Sequence, residues 1–291
     1  MTLEQQLTRP LSLDRRIFSY FMSAIAVLFT GLALLPLLSV LFEILRQGLP
    51  NLKWEVFTNL PAPAGDTSVV GGFANAIQGT VLMVSMAALF SVPFGIAIAV
   101  YLSEIGKSGA IAQTVRFVLS ILSAVPSIVV GVFAYAVIVL STIFGYRGFS
   151  ALAGSFALAV IMLPIVVLST EEALKLVPKH QRLASAALGA NSMQTVFKIV
   201  LKAALPSITT GVLLAIARAS GETAPLIFTA LFSQTWVEQI LNPTPSLSVM
   251  IYNYSSSAFP EQTQMAWTAS LVLLGLVTIT NLLSRLITQK R

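Results

Sequence analysis

"LLAIARASGETAPLIF", residues 213–228, sets Arg218 and Glu222 four positions apart in a stretch long and apolar enough to cross a membrane; no other charges lie inside such a segment. Read as one helix over 206–231, it puts Arg218 at its midpoint, about 18 Å of rise above Pro206. The half-thickness of the hydrocarbon is only about 15 Å. A guanidinium at that depth costs at least about 2.5–3.5 kcal/mol, so it is expected to face a polar cavity, a partner carboxylate, or both. Glu222, one turn along the same face, is the nearest partner. Two roles are open to the pair: a self-neutralised lock between helices, or the lining of a solute path.

The rest of the chain agrees with a membrane reading. Of its 291 residues, 56% are hydrophobic and only 10% charged, and its mean hydropathy is +0.87. An ordinary soluble domain is far more polar. Stretches free of Asp, Glu, Lys and Arg run over 17–42, 69–103, 117–146, 148–170 and 262–284, and the Arg218 stretch over 203–237 supplies a further span, fifth in chain order. Each is long enough to cross. They are rich in Leu, Ala and Gly and do not alternate like barrel strands, so the expected fold class is an all-α integral membrane protein of six transmembrane helices.

Basic residues then orient the chain. Arg9, Arg15 and Arg16 precede the first span, Lys107 and Arg116 lie between the second and third, and Lys175, Lys179, Arg182, Lys198 and Lys202 between the fourth and fifth. Arg285, Lys290 and Arg291 close the chain, while Arg46, Lys53 and Arg147 fall in the alternate loops. This bias places both termini in the cytoplasm. The net charge of +6 therefore reports topology and lipid headgroups, not nucleic acid. The first apolar stretch, without a small-x-small cleavage site, reads as an uncleaved anchor. Zero cysteines exclude disulfides, thiolate metal sites and cysteine nucleophiles, and His180, the sole histidine, sits in a basic loop as a surface residue.

Between the spans, residues 46–74 carry Pro61, Pro63, Gly65, Gly71 and Gly72, which forbid a long helix. The segment 233–261 is polar and proline-interrupted, and Tyr252, Tyr254 and Trp267 read as interfacial aromatics. Pro36, Pro93, Pro126, Pro164 and Pro225 lie inside spans and are expected to kink them. No parallel or inverted repeat is evident, which disfavours a secondary transporter of two matched halves. The loop 171–206 is too apolar for a solvated connector. Leu174, Val177, Leu183, Ala187 and Leu188 recur at helical spacing, Gly189 breaks the run, and a second amphipathic segment over 193–205 leads into Pro206. Such a helix–glycine–helix unit either forms a knob below the membrane or lies flat on the headgroups.

"ALGANSMQTVFKIVL", "LPSITTGVLLAIARASGETAPLIFTAL", "GGFANAIQGT" and "VPSIVVGVFAY" together resemble the permeases of ATP-binding-cassette importers, and among them the A-type permeases of the high-affinity bacterial phosphate system. The likeness runs from about residue 69 to the last span. It implies a type I importer (MetI-like) permease fold, with residues 1–68 as an N-terminal segment, first helix and outside loop, and residues 69–287 as the permease domain with a coupling loop over about 171–206. The importer motif Glu-Ala-Ala, three residues, Gly, nine residues, Ile, one residue, Leu-Pro aligns on Gly189 and Ile199. Here Leu183 stands at the Glu position, followed by Ala184 and Ser185, and Lys202 replaces the Pro after Leu201. Those departures remove the carboxylate that would anchor the coupling helix.

The resemblance further implies a division of labour. Arg218, Glu222, Ser220 and Thr223 would line the substrate path, and Leu183, Ala184, Ala187, Leu188, Gly189 and Ala190 would couple to the ATPase. The implied partners are a homologous second permease in a heterodimer, two ATP-hydrolysing subunits, an extracytoplasmic phosphate-binding protein and membrane lipid, at the bacterial inner membrane. No cofactor or metal is expected on this chain, and no catalytic residue: it has no G-x-x-x-x-G-K-[ST] loop, and ATP would act from a partner. Arg218 offers a planar fork suited to a phosphate oxygen pair. Glu222 would hold it and keep the anion from binding too tightly to leave. Two alternatives stand beside this reading: an importer permease for sulfate or molybdate, and a polytopic enzyme acting on a lipid phosphate.

Overall fold

Within the apolar spans, the backbone groups can be satisfied in lipid only by helices or a closed barrel, and the computed structural model contains no strand among its described residues, 13–66, 70–106, 109–141 and 148–289. Side chains are described as far as residue 282; Arg9, Lys107, Arg147, Lys290, Arg291 and the side chain of Arg285 lie outside. Helix α1 (Leu13–Gly48) is followed by two short 3₁₀ turns, Leu49–Asn51 and Trp54–Phe57, in place of a long helix. Then come α2 (Ala74–Val100), α3 (Ala110–Ala124), α4 (Ser127–Ala134) and α5 (Ala151–Lys175). The second half holds α6 (Lys179–Ala187), α7 (Ser192–Thr195), α8 (Leu201–Gly221), α9 (Ala224–Thr229), α10 (Leu247–Ser255) and α11 (Pro260–Gln289). Among the described residues, five helices are long and apolar enough to cross a membrane, and a bent pair, counted as one span, would make a sixth.

Four expectations change. The third span is not one kinked helix: α3 and the Ser127–Val139 segment meet at 103°. Proline forces its predecessor out of the helical region, and Val125 (ψ 128°) and Pro126 (ψ 137°) are both extended, which turns the chain. The Arg218 stretch is likewise not one helix over 206–231, because α8 ends at Gly221 and Glu222 is extended (ψ 125°). At the other end of α8, no break occurs before Pro206: a π turn, Val196–Val200, joins α7 to α8 in one helix, Ser192–Gly221. Within the segment 233–261, read as polar with interfacial aromatics, α10 folds inward and buries Leu247, Ser248, Val249, Met250 and Tyr254. Tyr254 packs edge-on to Phe232 at 5.8 Å and belongs to the core, not to an interfacial belt; burial pushes its phenol up from the ordinary tyrosine range.

Helix α5 is the axis, with 61% of its apolar window buried against 0% for α1. Lipid tails are as apolar as leucine, so helices associate here through close packing at small residues. A Cβ on Gly95 of α2 would come within 2.7 Å of Val166 Cγ1, and one on Gly211 of α8 within 2.3 Å of Ser169 Oγ. Both neighbours belong to α5. Its first turn is closed by Ser150, whose Oγ accepts from Ala153 N. Helix α1 is pinned at its end, where Gly48 abuts Leu271 and Trp267 of α11 and its carbonyl accepts from Thr268 Oγ1. Replacing Gly95 by leucine should therefore lower the detergent unfolding temperature by several degrees, since overpacking costs about 1–3 kcal/mol. Gly31→Leu, on a helix face with nothing within 4 Å, should leave it unchanged; size-exclusion recovery after heating reads the difference.

Candidate functional site

Both broken spans open on one place. Val125 and Ser127, on either side of the Pro126 turn, line a cavity of about 330 Å³ together with Leu122 and Ser123 of α3, the middle turns of α5 from Ile161 to Ser169, and Arg218. The short helices that follow the two breaks also touch each other: Gly131 of α4 lies against Pro225 of α9, where a Cβ would sit 2.7 Å from Pro225 Cα. Facing the middle of α5, the cavity falls near the middle of the bilayer. Ser127 opens α4, so the partly positive end of that short helix borders the same space.

Arg218 occupies the last turn of α8, where the helix carbonyls favour a cation. Its Nε lies 3.4 Å from Glu222 Oε1, a long contact that orients the side chain without saturating it. The two terminal nitrogens have no other partner among the described residues, and the guanidinium is 59% exposed, whereas the Glu222 carboxylate is 15% exposed. Glu222 is fixed through its backbone, with its carbonyl accepting from Ser248 Oγ of α10 at 2.9 Å. Thr223, in the break, is half-buried and begins the turn into α9. Ser220 is buried, donates to Ile216 O at 2.9 Å, and is not among the residues lining this cavity. The polar groups gathered beside Arg218 are instead Ser123, Ser127 and Ser169. Ser123 and Ser169 donate to Leu119 O and Ile165 O, and a hydroxyl so placed can rotate toward an incoming anion.

At the α6 end, the helix–glycine–helix unit forms as read from the sequence, α6 turning at Gly189 into α7. Leu183 and Leu188 are 70% and 90% exposed, Ala184 and Ala187 are exposed, and Gly189 takes a left-handed φ of +82° that a side chain would strain. Ala190 follows, half-buried, and a capping box between Asn191 and Gln194 starts α7. Ser185, the buried residue of α6, bonds to Thr195 at 2.9 Å. His180 is exposed.

Two ionic clusters at this end were not read from the sequence. Glu171, with its side chain 3% exposed, meets Arg116 of α3 at 2.9 Å and Lys175 at 3.1 Å. Arg182 of α6 meets Glu104 at 2.7 Å. The available signal was position: Glu104 and Glu171 immediately follow the uncharged stretches 69–103 and 148–170, beside loops that otherwise collect cations. At the opposite end, buried Asn75 donates to Ser233 O and Thr235 O, holding the chain just past Leu231, whose φ of 62° is strained for a leucine. No cluster of three or more metal-ligating side chains occurs among the described residues.

The chain and its fold have counterparts. Residues 91–291 match the family described as binding-protein-dependent transport system inner membrane component. The chain belongs to this family. It is a multi-pass inner-membrane permease. Among curated relatives it is 39% identical to the phosphate transport system permease protein PstA of Yersinia pestis, over 88% of this chain and 84% of that one. The PstA proteins of Haemophilus influenzae (39%, covering 87% of each) and Methanocaldococcus jannaschii (35%, covering 89% and 88%) are similar over like spans. A bacterial ABC transporter that imports the acidic polysaccharide alginate superposes with a TM-score of 0.66 over 96% of this chain and 99% of its own, at 14% identity. The methionine transporter MetNI in an inward-facing form gives 0.59 over 74% and 95%, at 21% identity. These two likenesses bear on the fold, which is that of the MetI-like importer permeases.

If the cavity holds water, its walls will react with water-borne reagents. The chain has no native cysteine, so a single Ser123→Cys replacement should label with a charged, membrane-impermeant thiol reagent in proteoliposomes. Leu89→Cys, 70% exposed on the outer wall of α2, should resist the same reagent because it faces lipid.

Proposed function

We propose that this chain is the permease subunit of an ATP-driven importer and passes inorganic phosphate across the inner membrane by alternating access. The observation that carries the proposal is Arg218: a guanidinium with both terminal nitrogens unpaired, loosely steered by one carboxylate, on the wall of a mid-membrane cavity. A planar fork of this kind fits two oxygens of a tetrahedral oxyanion. Relatives 35–39% identical over more than four-fifths of the chain, all bearing the name of phosphate permeases, favour phosphate over sulfate or molybdate. The family description and the absence of a thiol, a second histidine or a carboxylate cluster beside Arg218 speak against a lipid-phosphate enzyme.

In this reading the α6 end is cytoplasmic, in line with Arg116, Lys175, Lys179, Arg182, Lys198 and Lys202 gathering there. The chain pairs with a homologous second permease, receives phosphate from an extracytoplasmic binding protein, and rests on two ATP-hydrolysing subunits. Leu183, Ala184, Ala187 and Leu188 present the apolar face that enters an ATPase cleft, and Gly189 and Ala190 turn the chain back. Phosphate meets Arg218 with help from the hydroxyls of Ser123, Ser127 and Ser169 and the positive end of α4. Glu222, at 3.4 Å, competes for the same cation, which keeps the anion from becoming trapped. Thr223 lies at the hinge between α8 and α9.

Arg218→Ala and Arg218→Lys should both cut phosphate uptake by at least about ten-fold with membrane insertion intact, because lysine keeps the charge and loses the fork. Uptake of labelled phosphate by proteoliposomes, normalised to inserted protein, measures it; near-normal uptake by Arg218→Ala removes Arg218 from the path. Leu188→Asp should abolish co-purification with the ATPase in detergent, since an unpaired charge buried in a contact costs several kcal/mol. If the ATPase stays attached to that variant, the knob is not the docking element.

A further inference from the structure

We infer that Arg182 is the joint through which movement of α6 reaches the membrane bundle, a positioning residue for transport that touches no substrate. The proposal deepens the importer reading above and rests on it for the direction of the work.

Helix α6 has almost no apolar grip on the rest of the protein. Its buried residue is a serine, Ser185, bonded to Thr195 in the turn of helix just beyond Gly189. Leu183 and Leu188 point outward and are left for a partner. How α6 stands relative to the spans therefore depends on polar links, and Arg182 makes three. One terminal nitrogen donates to Glu104 Oε1 at 2.7 Å and to Leu174 O at 2.9 Å, and the other donates to Val177 O. The arginine and glutamate side chains are only 25% and 9% exposed.

The acceptors are well chosen for carrying force. Glu104 belongs to the π turn Tyr101–Ile105 that ends the α2 span, so its carboxylate moves with α2. Leu174 lies in the final turn of α5, where its carbonyl also accepts from Val177 N at 3.3 Å, and Val177 lies just past that turn. A guanidinium from another helix caps that end and also suits its negative pole. Arg182 thus ties α6 to the two spans that pack most closely, α2 and α5, through a planar group that transmits displacement better than a flexible lysine would. From α5 the link continues through buried Glu171 to Arg116 on α3, whose far end carries Leu122 and Ser123 into the cavity wall. The resemblance puts Leu183 where a carboxylate would anchor this helix; its neighbour Arg182 anchors it with the opposite charge, the carboxylate being supplied by α2.

The test uses the complete importer, this permease with its second permease and ATPase subunits, all cysteine-free, in proteoliposomes. Leu168→Cys on the cavity wall of α5 serves as a reporter, and its labelling by a water-soluble maleimide is followed with and without ATP. In the parent complex ATP changes the labelling rate. With Arg182→Met the ATPase should co-purify and hydrolyse ATP at a rate within about two-fold of the parent, while the ATP-dependent change in labelling and the phosphate moved per ATP both fall by at least about five-fold. Glu104→Gln should do the same from the other side of the link, and Arg182→Lys should lie between. An unchanged labelling response in Arg182→Met overturns the joint; so does loss of the ATPase from that complex, which makes Arg182 a prop for docking. A parent complex that shows the ATP response, loses it with Arg182→Met, and moves no phosphate supports the joint and sinks the phosphate reading instead.

Discussion

A guanidinium held in the middle of a hydrocarbon slab is the constraint around which this protein is arranged. Left on a continuous helix facing lipid, Arg218 would cost several kcal/mol. The chain removes that cost by ending α8 one residue before Glu222, so that the cation sits in the last turn at the negative pole of the helix. It then breaks a second span at Pro126, and the short helices after the two breaks, α4 and α9, pack together, with a cavity nearby that sets three serines and Arg218 in an otherwise apolar wall. Irregular backbone at membrane depth is tolerated only where protein or a water-filled cavity covers it. Ser248 of α10 serves that need directly, closing on the carbonyl of Glu222.

Such a cavity requires rigid walls, and α5 provides them. Glycines on α2 and α8 bring their backbones against Val166 and Ser169, the same stretch of α5 that lines the cavity. At the α6 end the helix carries a nearly buried carboxylate, Glu171, between Arg116 and Lys175. A buried carboxylate so paired is weak evidence of added stability, because desolvation offsets most of the Coulombic gain. Its effect is to join α3 to α5 at one place. The cavity and α6 are therefore both attached to the same central helix.

Much of this was legible in the residues. Uncharged stretches revealed the spans because lipid admits few charges, and Leu183, Leu188 and Gly189 revealed the knob because an apolar helix and a left-handed turn in a basic loop need an explanation. The pairing of Arg218 with Glu222 was also readable, since four residues make one helical turn and the contact survives at 3.4 Å even though the helix ends between them. The breaks were harder to read. Pro93 and Pro164 stay inside unbroken helices while Pro126 bends its span through 103°, and nothing local to a proline distinguishes the two outcomes.

Composition and periodicity alone determined that the chain is a helical membrane protein, which stretches cross, and that one of them carries a cation needing a purpose. Those are matters of transfer free energy, which adds residue by residue along a sequence. Only the tertiary structure decided that Ser123, Ser127 and Ser169, not Ser220, stand beside Arg218, that Tyr254 is core, and that Arg182 reaches Glu104 78 positions away. These depend on how helices rotate and cross once packed. In lipid that is settled by close contact between small residues and by the partner each polar group finds, not by hydrophobicity, which every face of these helices shares.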